Sequence, residues 1–343
     1  KTKALGTWDG NLVVGLLGDE PGSAAVYEFN GDQWTLLGDS DLVPGWGNLS
    51  YVQVLQEHNG VLYAGINETT WSYTAEAGWT LVGDIAGEMP WGDGIAYSMR
   101  VHRDQLYIGI IGKPTSIYRL AGGDWHSVSN GLDFQEGHGI YELWVHSDGS
   151  LYATLAADFL ATTVFRFEDE NQVWDPIGGN GINGSWINTG FVYGLSMTSF
   201  NGNLIVTMGR HPQTNGEFSS IWAFDGEQWS PLGLNNEISN IPVSWGNLNN
   251  FNASIDFNGT LLVGGGGHPA GHASIWALEQ DTWIPIGGYG ILNSWGGEFP
   301  HSLTGNFRHS AAEYPYRLIE WRDSIIAGFG DAPGAAQLWR LRY

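Results

Sequence analysis

The segment Ile221 to Gly233, IWAFDGEQWSPLG, constrains this chain more than any other because it recurs. Val26 to Gly38 is VYEFNGDQWTLLG and Ile275 to Gly287 is IWALEQDTWIPIG. Looser copies begin at Trp71, Ile117 and Val164, and Gln337 to Tyr343 is the first half of another. Each copy reads as a strand, a tight turn and a second strand opening on Trp. At Asp225-Gly226 the D-G pair between apolar runs predicts a type I′ hairpin, whose central residues need positive φ.

A second hairpin precedes each copy, shown best by His58-Asn59-Gly60-Val61-Leu62-Tyr63-Ala64-Gly65. With the four strands named a to d, the sequence holds seven a–b–c sets and six d strands. The period of roughly 45 to 60 residues is that of propellers and arrays. No linker interrupts it, so 1–343 reads as one all-β domain: a seven-bladed β-propeller of four-stranded antiparallel blades. Blade 7, from Tyr316 to Tyr343, lacks its outer strand in this chain. Its open edge, Gln337 to Arg342, is a place where a strand from elsewhere could add. The a–b and c–d turns are short, while length varies in the b–c and d–a loops. The face carrying those loops is therefore the expected working face.

Composition narrows the partners. A formal charge of −23, with lysine only at Lys1, Lys3 and Lys113, opposes binding to nucleic acid and anionic membranes. No stretch of about 18 apolar residues is present to span a bilayer. The absence of cysteine excludes disulfides and thiolate chemistry. A chain opening on Lys1 reads as a mature, processed form or a trimmed one, and the expected setting is extracellular. No metal or other cofactor is called for, with Ca²⁺ the one ion such an acidic surface suits.

The pattern I-[WY]-x-[FL]-D/N-G-x-x-W-x-x-[LI]-G, followed by N-G-x-L-Y-x-G, resembles that of a broad group of secreted bacterial repeat proteins similar to kelch-type β-propellers. The resemblance covers essentially the whole chain. It implies the fold; since propellers host lectins and enzymes alike, it does not imply a function.

Two constellations carry chemistry. Most d–a loops hold a Trp among Gly, Asn and Asp: Trp46, Trp91, Trp186, Trp245 and Trp295. Indole faces beside polar groups stack sugar rings; a Trp repeated at equivalent places also fits a packing residue wedged between blades. The second lies in blades 5, 6, 7 and 1, where b–c loops bring Arg210, His211, His268, His272, Asp331 and Asp19, and the long 6–7 loop adds Arg308 and His309. The strand-d Trp series, and His58, His102 and His146 ending strand a, are explained by repeat position and read as structural. Tyr51, Tyr97, Tyr141, Tyr193, Phe251 and Tyr316 open strand a in six blades, either lining a channel mouth or packing there.

The leading expectation is a secreted, carbohydrate-binding, lectin-like propeller using the Trp-bearing loops, with Asp19, Asp331, His272 and His309 as further contacts. The alternative is an enzyme on polysaccharide, most plausibly a lyase. There His211, His268 or Tyr316 would handle the proton, and Arg210 or Arg308 would neutralise a uronate carboxylate. A third is an assembly module pairing through the open edge of blade 7.

Overall fold

The computed structural model describes residues 1–18, 20–83, 89–112, 115–132, 138–157, 160–187, 191–210, 219–234, 250–266, 273–288, 315–330 and 336–341. Among these, the only helical segments are two 3-10 turns, Pro44–Trp46 and Ile182–Gly184. The strands run as antiparallel meanders. In the first, strand a is Thr2–Trp8, b Asn11–Leu16, c Ala25–Phe29 and d Trp34–Gly38. Six consecutive four-stranded meanders and a final three-stranded one account for the described strands.

The residues fall in two compact units. One comprises Thr2–Asp158 and Thr163–Ile177; the other comprises Lys1, Phe159–Thr162 and Gly178–Tyr343. The first contains the a strands Thr2–Trp8, Val52–His58, Ile95–His102 and His138–Val145, packed side by side in that order. In the second, Phe191–Phe200, Asn250–Phe257 and Pro315–Glu320 do the same. Neighbouring meanders also meet through single bridges from the end of strand b to the start of the next strand a: Leu17 to Tyr51, Ile111 to Gly139 and Gly209 to Asn250.

The a–b turns follow the sequence reading. Asn59 and Gly60 take φ of 52° and 78°, and Asn201 and Gly202 take 49° and 80°. Arg103-Asp104 and Arg322-Asp323 hold the same left-handed pair without glycine, at 46° and 58° and at 47° and 54°. The turn at Asp225-Gly226 differs from expectation. Only Gly226 is positive, at 102°, because Asp225 Oδ1 accepts the amides of Glu227 and Gln228, each at 2.8 Å. Those bonds, Gln228 first, hold the Asp225 carboxyl below its ordinary pKa.

The repeated Trp and Gly of the c–d hairpin explain each other. The strand-d indole donates back to the preceding meander: Trp79 Nε1 to Leu37 O at 3.0 Å, Trp174 Nε1 to Val128 O at 2.7 Å, and Trp283 Nε1 to Leu232 O at 3.0 Å. Trp125 reaches Thr70 Oγ1 at 3.1 Å, and that hydroxyl donates on to Val82 O. The glycine ending strand d makes room for this ring. A Cβ on Gly38 would stand 2.5 Å from Trp79 Nε1, and one on Gly178 2.8 Å from Trp229 Nε1. Trp34 departs from the series: it is 49% exposed and stacks on Phe29 at 4.7 Å.

Closer to strand a, a second device sets meander spacing. A Cβ on Gly65 would lie 2.7 Å from the carbonyl oxygen of Ala96 on the next strand a. At the equivalent place in the fifth meander stands Thr207, whose hydroxyl donates to Phe251 O at 2.8 Å. The gap is thus closed either by direct packing or by a hydrogen bond. Gly65→Ala forces strands apart, and its expected cost is about 1–3 kcal/mol, read as a lower denaturant midpoint at unchanged slope.

Candidate functional site

Each strand a pairs with its strand b through a register slip at one repeated place. Thr2 and Ala4 face Leu16 and Gly15; Val52 and Val54 face Ile66 and Gly65; Ala96 and Ser98 face Ile110 and Gly109. Ile140 and Glu142 face Leu155 and Thr154. The second unit repeats the slip between Gly194 and Ser196, Phe251 and Ala253, and Pro315 and Arg317. The extra residues are Lys3, Gln53, Tyr97 and Tyr141 in one unit, and Leu195, Asn252 and Tyr316 in the other. A bulge leaves its extra residue outside the ladder and re-aims its side chain, a device frequent beside active sites.

In the first unit three of these side chains come together. Lys3 Nζ lies 4.1 Å from the centre of the Tyr97 ring, and Tyr97 meets Tyr141 edge-on at 5.3 Å. Lys3 reaches from the first strand a to the third, and the strand between them carries Gln53. Gln53 is 7% exposed, and its Oε1 has no hydrogen-bond partner among the described residues. Three positions beyond Tyr97 and Tyr141, the Arg100 guanidinium sits 4.4 Å over the Trp144 ring. It donates from Nε to Leu143 O at 3.0 Å and stands 3.6 Å from the carboxylate of the buried Glu142. Ser98 Oγ accepts the Leu143 amide at 2.8 Å, as Ser196 Oγ accepts that of Ser254 at 3.1 Å in the other unit. These bonds hold adjacent strands a in fixed register beneath the bulges. Burial, then the charge of Glu68, raises the pKa of nearby Tyr51. Aromatic faces, one ammonium and an amide acceptor suit binding of a polar ligand with an apolar face. Among the described residues no group of three or more His, Asp or Glu could hold a metal ion.

The structure divides the tyrosine series that the sequence presents as one. Tyr97, Tyr141 and Tyr316 are bulge residues, whereas Tyr51 and Tyr193 stand two positions earlier and Phe251 is buried beside the bulge residue Asn252. Lys3, Gln53 and Asn252 escape a sequence reading because a one-residue slip leaves no mark in composition. Counting back from the glycine or threonine of strand b would have found them.

The tryptophan-loop expectation is corrected for three of its residues. Trp46 and Trp91 are fully buried and Trp186 is 2% exposed, so no indole face is open for a sugar to stack on. Trp46 packs on Trp71 and Trp79, Trp91 on Tyr118 and Trp125, and Trp186 on Trp222 and Trp229. Trp91 Nε1 donates to Glu68 O and Trp186 Nε1 to Thr162 O, both at 2.8 Å. These are the wedges that repetition also allowed. Trp245, Trp295, Asp19, His211, His268, His272, Arg308, His309 and Asp331 lie outside the described residues. Arg210 ends strand b of the fifth meander opposite Phe191, and Tyr316 is half-buried on its bulge. In the last sheet, Gln337–Leu341 pairs with Ile325–Phe329; Arg342 is outside the described residues.

Polar clusters at the opposite strand ends are structural. His102, 2% exposed, meets Asp169 at 2.9 Å, and Asp169 also meets Arg103 at 3.1 Å. Tyr152 packs against His146 and donates to Asp148 Oδ2 at 3.2 Å. Burial, reinforced by the Asp148 charge, pushes the Tyr152 hydroxyl up to about 12.

No protein-family profile matches the sequence, nor does any curated protein. Solved structures do match. The extracellular domain of BT4673 from B. thetaiotaomicron aligns with all of this chain at a TM-score of 0.64 and 14% identity. The fold is β-propeller-like. This chain spans 38% of that BT4673 chain. The quinonprotein alcohol dehydrogenase-like protein BT1487 from Bacteroides thetaiotaomicron aligns over 83% of this chain and 66% of its own, at 0.54 and 11% identity. Saccharomyces cerevisiae Sqt1 aligns over 96% and 79%, at 0.53 and 11% identity. No described helix is long and apolar enough to cross a membrane.

Trp91→Ala empties a wedge between meanders, with an expected loss of about 3–5 kcal/mol in denaturant titration. Tyr152 gives a pH test. The folded protein retains its proton between pH 10 and 12, where the unfolded chain, at the ordinary value near 10, releases it. Stability present below pH 10 is therefore lost as pH rises toward 12. Tyr152→Phe is expected to flatten that decline when unfolding is followed against pH.

Proposed function

We propose that the chain is a secreted, seven-bladed β-propeller spanning 1–343 that binds carbohydrate on the bulge-bearing inner strands. The seven meanders are its blades, and Pro315–Leu341 belongs to the three-stranded seventh. One observation carries the reading: a bulge at one repeated register in every strand a, which in the first unit brings Tyr97, Tyr141 and Lys3 into contact. Tyrosine offers a sugar an apolar ring face and a hydroxyl together, at little cost in side-chain freedom. The likeness to a domain described as extracellular supports placement outside the cell. The role first expected of the Trp-bearing loops passes to the inner-strand tyrosines, since Trp46, Trp91 and Trp186 are consumed by packing.

Because the last described sheet has three strands, the outer edge of Gln337–Leu341 supports a second role, pairing with an added strand.

A glycan array followed by calorimetry on the hits tests the binding role. Tyr97→Ala or Tyr141→Ala is expected to weaken the best glycan by roughly tenfold to thirtyfold, without release of unsaturated uronate from any polysaccharide. A wild-type protein that binds no glycan, or a bound glycan indifferent to both changes, overturns the proposal. Ultraviolet-absorbing uronate products would replace it with the lyase.

A further inference from the structure

Resting on that reading, we infer that Lys3, Tyr97 and Tyr141, with Gln53 at the same register on the strand between, recognise a carboxylate-bearing sugar, a hexuronate unit within a glycan. Three observations converge. Lys3 is one of 13 lysines and arginines in a chain of formal charge −23, so its ammonium is a minority charge in a field that on balance repels anions. It is half-buried and held over the Tyr97 ring at 4.1 Å, which fixes a flexible side chain before any ligand arrives. Gln53, on the strand that Lys3 spans, keeps a buried Oε1 with no hydrogen-bond partner among the described residues. A buried acceptor left in this way is costly, so it persists where something with a donor completes it.

The chemistry of the missing complement follows from the set. The ammonium asks for an anion, the amide oxygen for a hydroxyl or N–H, and the Tyr97–Tyr141 pair for a flat apolar face. Carboxylate, ring hydroxyls and the apolar face of a hexuronate answer all three. A neutral sugar leaves Lys3 unmatched, and a simple carboxylic acid leaves the rings and Gln53 unused. Phosphate or sulfate would satisfy Lys3 alone. Neighbouring Arg100 is already engaged by Trp144, Leu143 and Glu142, so the anion's contact falls to Lys3.

Calorimetry on the full chain with an oligogalacturonate and its carboxyl-reduced neutral counterpart tests this. Wild type is expected to prefer the acidic ligand by about tenfold or more, as a charge-assisted hydrogen bond would give, and to lose that preference as salt rises. Lys3→Gln should bring the two ligands to similar affinity. Gln53→Leu should weaken both while holding or raising the melting temperature, a split that a purely structural glutamine would not produce. A preference unchanged in Lys3→Gln, or a Gln53→Leu protein that binds as wild type does, overturns the inference. Neutral-sugar binding that responds to Tyr97→Ala but shows no acidic preference overturns it too, and leaves the carbohydrate-binding proposal standing. If neither ligand nor any other glycan binds, both fall.

Discussion

The hydrogen bond from a strand-d indole to the preceding meander is the interaction on which the rest depends. Antiparallel meanders bury little on their own; each needs a neighbour to cover its faces. Trp79, Trp125, Trp174 and Trp283 supply large apolar surface, and each uses its one polar atom to satisfy a group next door. A phenylalanine would fill similar space but leave the carbonyl of Leu37 or Val128 without this donor. At Gly38 and Gly178 the glycine ending strand d is the other half of the contact, since a Cβ there would stand against the next indole. Both halves stand in five of the six full copies of the repeat, the third carrying Ser129 in place of the glycine, which is why the repeat is so visible.

The inner strands depend on that spacing. With neighbouring meanders held apart by fixed wedges, strands a approach closely enough for Ser98 and Ser196 to bond the next strand's amide. The same closeness lets Arg100 reach over Trp144. Either glycine or threonine stands at the strand-b position behind them because two different contacts fill one gap, Gly65 against Ala96 and Thr207 on Phe251 O. The Lys3–Tyr97–Tyr141 cluster is thus a product of packing several layers away from it.

Legibility in the sequence followed the source of each signal. Strand order and a–b turns were readable because apolar alternation and N-G pairs are local. His102 and the strand-d tryptophans other than Trp34 are structural, since repetition at equivalent positions is what packing produces. The same logic covered Trp46, Trp91 and Trp186, yet their Gly- and Asn-rich surroundings look like a binding loop, and only their burial decides the matter. The turn at Asp225 escaped because a side-chain carboxylate captured two amides and displaced the expected geometry. The bulges escaped altogether, since register is a relation between two strands and no single segment records it.

That slip separates two kinds of demand on one strand. At positions within the ladder, each side chain answers to a neighbour, and the choice narrows: only glycine and threonine occupy the strand-b place opposite the bulge. The extra residue answers to none of these, and across seven copies it is Lys, Gln, Tyr, Tyr, Leu, Asn and Tyr. A scaffold assembled from near-identical parts therefore carries, in every part, one letter free to differ. Through it, the chemistry presented at that register can be rewritten without disturbing the architecture that carries it.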